Sequence, residues 1–342
     1  GTLIIKRGAK IFAEGTRTNP IVFTSNQPAG LRAPGDWGGI VICGSASNNQ
    51  GTHVKIEGAP IAYYGGTNDA DNSGIMRYVR IEFGGIALEP NNETNSLTMA
   101  SVGSGTTIEY IQVSFGGDDG FEWFGGTVNA KYLVSLKTLD DDFDTDFGFR
   151  GKVQFGVAIR DPFLADQSKS QAFETDNDGS GSYKTPRTQA VFSNITAVGP
   201  KQLSTTPATN YNAVNHFWGV HQRRATLQSI HNSVFMGFDE GGIYLDGSAV
   251  TSAVDTFKFK NNIVAGSITA GTNQSFNPYS WFQAPARAND SLAQPSNVNL
   301  RNPYNPVRPD LTPNAGSPVL GKASFADLTD PFWTPVTYAG AF

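Results

Sequence analysis

Residues 108–148 read IEYIQVSFGGDDGFEWFGGTVNAKYLVSLKTLDDDFDTDFG. Placing Tyr110 over Tyr132 superposes the two halves at an offset of 22 residues, so that Asp118 falls over Asp140, Asp119 over Asp141 and Glu122 over Asp144. Upstream, Met76–Gly85 (MRYVRIEFGG) returns as Ile108–Gly117 (IEYIQVSFGG) after 32 residues, and Lys131–Val134 and Lys152–Val157 continue the series more loosely. Downstream, FSNITAVG (192–199), IHNSVFMG (230–237) and FKNNIVAG (259–266) share one template, with an apolar residue two before an Asn and a Gly five after it. Spacings of 21 to 38 residues, with period-2 alternation inside each unit, describe short strands separated by tight turns. Such an array stacks as a parallel β-solenoid, each rung pairing with the next about 4.8 Å away. Asn194, Asn232 and Asn261 then read as a structural ladder, each amide meeting the Asn above and below.

The stretches Leu3–Lys6, Lys10–Ala13, Pro20–Thr24 and Gly38–Ile42 read as further rungs, and 65–74 and 168–187 as loops projecting from the coil. From Arg301 the chain holds seven of its 19 prolines and few strand runs. The expected organisation is therefore a parallel β-helix over 1–300 and, in the same domain, an extended Pro-rich segment over 301–342 that packs on or caps it. Composition agrees with an all-β protein: 38 Gly in 342 residues and only 16% charged side chains. A pI near 5.4 with no basic stripe argues against nucleic acid as a partner. No apolar run reaches the ~18 residues of a spanning helix. Cys43, the single cysteine, sits in the apolar run Ile40–Cys43 and reads as a small buried hydrophobe. The chain opens GTLII, without an initiator Met or a signal peptide, as a mature or trimmed fragment would.

The strings DWGGI (36–40), DNSGIMRYVRIEFGG (71–85), GDDGFEWFGGTVNAK (117–131), DDDFDTD (140–146) and the closing GSPVLG and VTYAGAF resemble a family of secreted or surface proteins of Bacteroidetes. That resemblance covers nearly the whole chain. It implies a right-handed parallel β-helix and export to the cell surface, in association with the outer membrane, or to the medium; it implies no established reaction.

The acidity is local. Between residues 118 and 178 there are 13 Asp and Glu against 6 Lys and Arg, a balance of −7 within a chain of net charge −5. Carboxylates stacked on adjacent rungs need a cation, and hard oxygen ligands at this density favour calcium. The expected ligands are Asp118, Asp119, Glu122, Asp140, Asp142, Asp144 and Asp146, the last four alternating along one strand with Phe143, Thr145 and Phe147 directed into the core. The alternative is a solvated acidic face paired to Arg150 and Arg160. Two kinds of function follow. One is a non-enzymatic module that binds calcium and presents loops to a glycan or a surface protein. The other is a calcium-dependent polysaccharide lyase, in which the cation acidifies the proton α to a uronate carboxylate and Arg150, Arg160 or Lys152 removes it. A glycoside hydrolase would need two or three carboxylates about 5–10 Å apart, for which Asp118 and Asp119 are candidates. A third class is self-assembly through open rung ends into a fibre or an outer-membrane complex. Sugar rings stack on exposed aromatics, and Trp281 and Phe282, in the polar string NPYSWFQ, are the best candidates, with Trp123 beside the acidic run.

Overall fold

The computed structural model describes residues 1–58, 62–89, 92–200, 215–238, 240–271 and 276–342. Among them two long parallel sheets wind into a β-helix. The first orders nine strands, Leu3–Ile5, Ile40–Cys43, Leu97–Ala100, Phe121–Phe124, Phe143–Asp146, Phe173–Thr175, Trp218–Gln222, Gly241–Leu245 and Ile268–Ala270. The second runs from Ile11–Glu14 through Gly74–Glu82, Thr107–Ser114, Asn129–Leu136, Lys152–Ile159 and Val191–Val198 to Asp290–Leu292. Each rung pairs with the next in parallel register, for instance Phe121 with Phe143 and Phe143 with Phe173, so like side chains stack. The interior is apolar, with Phe121, Phe143, Phe173 and Phe192 fully buried. Trp123 is also fully buried, its ring stacked on Phe149 at 5.2 Å. It is a core residue and has no face to offer a sugar.

The long strands of the second sheet bend at one recurring position. Tyr78, Tyr110, Tyr132, Phe155, Asn194, Asn232 and Asn261 all adopt left-handed backbone, with φ between 50° and 62°. The strand registers align them rung upon rung. A non-glycine residue pays about 1–2 kcal/mol for that conformation. The four aromatic members recover part of it by stacking: Tyr78 on Tyr110 at 4.4 Å, Tyr110 on Tyr132 at 4.3 Å and Tyr132 on Phe155 at 5.1 Å, all within 10° of parallel. The Asn members tolerate left-handed backbone for a different reason, their short polar side chain.

The expected Asn-to-Asn ladder is not what these amides make. Asn194 Nδ2 donates to Tyr338 O at 2.9 Å, Asn232 Nδ2 to Ser324 O at 3.1 Å and Asn261 Nδ2 to Lys322 O at 3.3 Å. Ser324 N returns a bond to Asn232 Oδ1 at 2.9 Å. The amides hold the C-terminal segment along the coil, and two of them also bond within it, Asn194 Oδ1 accepting from Gln154 Nε2 at 3.2 Å and Asn232 Nδ2 donating to Ser193 Oγ at 3.1 Å. Gln154 does the same one rung earlier, exchanging two 2.8 Å bonds with the Thr334 backbone, and Lys152 Nζ lies 2.6 Å from Asp330 Oδ2. Beneath this strap, Val198, Val234, Met236 and Ile263 pack against Val298, Leu311, Val319 and Ala339.

Trp281 and Phe282 are likewise not exposed. The short helix Pro278–Phe282 starts at Asn277, whose side chain caps Ser280 N, and turns both rings inward. Phe282 is fully buried, and Trp281 is 9% exposed against Phe257, Phe259 and Phe276, with the Arg287 guanidinium 4.4 Å over its ring. Isolation in a polar string looked like a loop, but a capped turn is enough to fold two aromatics onto the coil. No helix among the described residues is long and apolar enough to cross a membrane.

Replacing Asn232 by Ala removes the bonds to Ser324 and leaves an alanine in left-handed backbone. The variant is expected to lose about 2–4 kcal/mol in urea unfolding and to release the segment beyond residue 320 to trypsin. Asn232→Gly, which keeps the backbone conformation, is expected to lose about half as much.

Candidate metal centre

The site is built where three rungs of the first sheet lie side by side. Phe121, Phe143 and Phe173 point inward, so the next residues, Glu122, Asp144 and Glu174, share the outer face and pair in register. Asp118 and Asp119 lie in the turn before the first of these strands and Asp140 and Asp141 in the turn before the second, as the offset of 22 requires. Gly117 makes that turn tight: a Cβ there would lie 2.4 Å from Gly85 O. Asp141 N donates to Asp119 Oδ1 at 2.8 Å and Gln171 N to Asp141 Oδ1 at 2.6 Å, which fixes the carboxylates from one rung to the next.

Two groups of three carboxylates have ligand atoms all within 4.8 Å of one another: Asp118 with Asp119 and Asp140, and Asp119 with Glu122 and Asp144. Asp119 belongs to both. Around them is a cleft of about 510 Å³ lined, among the described residues, by twelve carboxylates and by Lys169, Arg223 and Arg224. The stacked rings of Phe124 and Phe147, 5.3 Å apart, form an apolar part of its wall. Burial pushes the carboxyl of Asp119 far above the usual range, and the neighbouring Asp118 and Asp141 push it further. Burial and then Asp140 act likewise on Asp118, burial and then Glu57 on Glu122, and burial and then Glu174 on Asp144. Asp140 is raised to about 6, by burial and against a hydrogen bond from Ser168. Glu174 rises to about 7 through burial, offset in part by Arg223. Buried oxygens of Asp140 and Asp144, Oδ1 in each, have no hydrogen-bond partner. Such a donor set suits a divalent cation that takes six to eight oxygens at about 2.3–2.6 Å. The all-oxygen chemistry suits a hard cation over softer metals.

Several expected members lie elsewhere. Asp142 is fully buried on the inner side: Oδ1 accepts from Ser135 Oγ at 2.6 Å and Thr138 Oγ1 at 3.2 Å, and Oδ2 lies 3.4 Å from Arg160 Nη1. The alternation expected from Asp140 to Asp146 begins only where the strand does, at Phe143, and Asp142 still belongs to the corner. Phe147 also departs from that pattern, leaving the strand at φ 51° to stack outside the coil on Phe124. Asp146 lines the cleft but is outside both groups of three. The cations expected to serve as a base are engaged elsewhere. Arg160 is 3% exposed and also donates to the carbonyls of Leu139 and Asp140. Arg150 binds Ser47 Oγ at 2.8 Å and Asp69 Oδ2 at 3.1 Å, and Lys152 is held by Asp330.

Sequence reading missed Arg223 and Arg224. Pairing of Phe173 with Val220 and of Thr175 with Gln222 carries Arg223 beside Asp176, and that register is the signal that finds it. Arg223 Nε lies 2.9 Å from Asp176 Oδ1, its Nη2 also binds Glu174, and Arg224 Nη1 lies 2.8 Å from Asp176 Oδ2. His221, the next outer residue after Glu174 in the same column, has Nε2 3.3 Å from Asp246 Oδ2.

A family model for a pectate-lyase-like β-helix domain matches residues 1–294. No curated protein and no solved structure matches the chain.

Carboxyls raised to about 6 and 7 favour the folded state fully below about pH 4, the unfolded value, and cost stability as pH rises through 6–7. The chelated protein is therefore expected to melt progressively lower from pH 4.5 to 8, whereas with calcium, which competes with protons for the oxygens of the two triads, the decline is expected to shrink to the part contributed by Glu174, which lies outside both. Asp142→Asn is expected to cost about 3–5 kcal/mol in chelator and calcium alike, because it strands the buried Arg160. Asp119→Asn is expected to abolish the calcium-dependent rise in Tm.

Proposed function

Since the chain belongs to the family of pectate-lyase-like β-helix domains, we propose that its acidic cleft binds calcium and that the protein is a non-enzymatic module working at the cell surface or outside the cell. The observation that carries this reading is the pair of carboxylate triads sharing Asp119 on adjacent rungs. Ligation by Asp118, Asp119, Glu122, Asp140 and Asp144 lets these carboxyls ionise together, which their mutual repulsion otherwise opposes. An extracellular setting supplies calcium at the level such modules use, about 10⁻⁴–10⁻³ M. Asp166, Ser168 and Lys169, on an inserted loop, border the cleft and would contact a glycan or protein partner laid across it.

A second reading, a calcium-dependent polysaccharide lyase, is favoured by one feature: Lys169 borders the same cleft, its Nζ 3.3 Å from Asn215 Oδ1, where an amine could face a cation-bound uronate. Arg223, by contrast, is held charged between two carboxylates and is a poor proton acceptor.

Isothermal titration of the chelator-treated protein is expected to show calcium binding that Asp119→Asn weakens at least 100-fold. In parallel, uronate polymers are incubated with the calcium-loaded protein and followed for the ultraviolet absorbance of an unsaturated product. The module reading expects none; product that disappears in Lys169→Ala would establish the lyase.

A further inference from the structure

The outer column of the first sheet runs Glu122, Asp144, Glu174 in register, but the three rungs are neutralised differently. Glu122 and Asp144 belong to a group able to hold a cation, and Glu174 does not. At the Glu174 rung a guanidinium is already there. Arg223 Nη2 lies within hydrogen-bond reach of both Glu174 Oε1 and Asp176 Oδ2, the latter at 3.0 Å. One nitrogen thus marks a point that two carboxylates of the rung share, and a calcium ion, which sits about 2.3–2.6 Å from its oxygens, fits such a point with small adjustments. A second observation comes from the next residue of the column. His221 is 8% exposed, its Nε2 is taken by Asp246, and its Nδ1 has no hydrogen-bond partner and lies 3.9 Å from Glu174 Oε2.

We propose that Arg223 is a built-in counter-ion that ends the cation column: it occupies the third rung, limits exogenous cations to the two carboxylate triads, and keeps a further calcium site at Glu174 and Asp176 closed. This rests on the cleft binding calcium and adds what sets the number bound. The arrangement gives the column a fixed end. Arg223 neutralises the Glu174 rung at every calcium concentration, and only the Glu122 and Asp144 rungs respond to the ion. Arg224, bound to Asp176 alone, does not bridge the two carboxylates.

Calcium bound per chain is counted by equilibrium dialysis with radiolabelled calcium for the wild type, Arg223→Met, Arg223→Lys and Glu174→Gln. Arg223→Met, which keeps the stem and removes the charge, is expected to bind one calcium more than the wild type. Arg223→Lys and Glu174→Gln are expected to bind the wild-type number, because the first retains a cation at the rung and the second removes a carboxylate that holds no calcium. An unchanged count in Arg223→Met overturns the role of Arg223 alone. A calcium lost in Glu174→Gln overturns it too, and that arm holds even if Arg223→Met fails to fold. A wild type that binds no calcium instead removes the reading of the cleft on which the proposal stands.

Discussion

Parallel rungs in register place like side chains about 4.8 Å apart, and the rest of this molecule follows from that constraint. Groups that attract their own kind are rewarded at every rung. The tyrosines at the bend illustrate it, stacking at 4.3–4.4 Å along a backbone conformation that would otherwise disfavour them. Groups that repel their own kind are penalised at every rung. Two carboxylates at that spacing repel by about 3–4 kcal/mol at an effective dielectric near 20, more than a domain of marginal stability can carry several times over.

The molecule answers that penalty in three ways along one face. Asp142 turns inward and takes Arg160 as its own buried partner. Glu174 and Asp176 are neutralised by Arg223 and Arg224. Arg160 and Arg223 reach Asp140 and Asp144 only as weaker, more distant charges, and burial drives Asp118, Asp119, Glu122, Asp140 and Asp144 toward the protonated state. A cation is the solution that leaves them charged, which is why the cleft is a candidate centre and not only an acidic surface.

The fold was legible because its repeat is written in the residues that stack. The offset of 22 between Tyr110 and Tyr132 is the spacing of adjacent rungs, and by itself it sets Glu122 beside Asp144. What failed were readings that treated a residue's neighbours in sequence as its neighbours in space. Trp281 sits among polar residues in the chain and among Phe257, Phe259 and Phe276 in the fold. Asp142 keeps the alternation of its string but precedes the strand that would enforce it. Asn194, Asn232 and Asn261 do align, yet their amides are spent on a C-terminal segment whose course no repeat encodes. Arg223 was hidden because its partners lie on the adjacent rung, some 47–49 residues back in the chain across inserted loops.

Long-wavelength anomalous diffraction from crystals grown in calcium locates the ion without reference to activity and so decides whether the cleft holds one. A bound calcium is expected as a peak about 2.3–2.6 Å from oxygens of Asp119, shared with Glu122 and Asp144 or with Asp118 and Asp140. A cleft without a peak, its carboxyl oxygens drawn together to about 2.5–2.7 Å across shared protons, would contradict it.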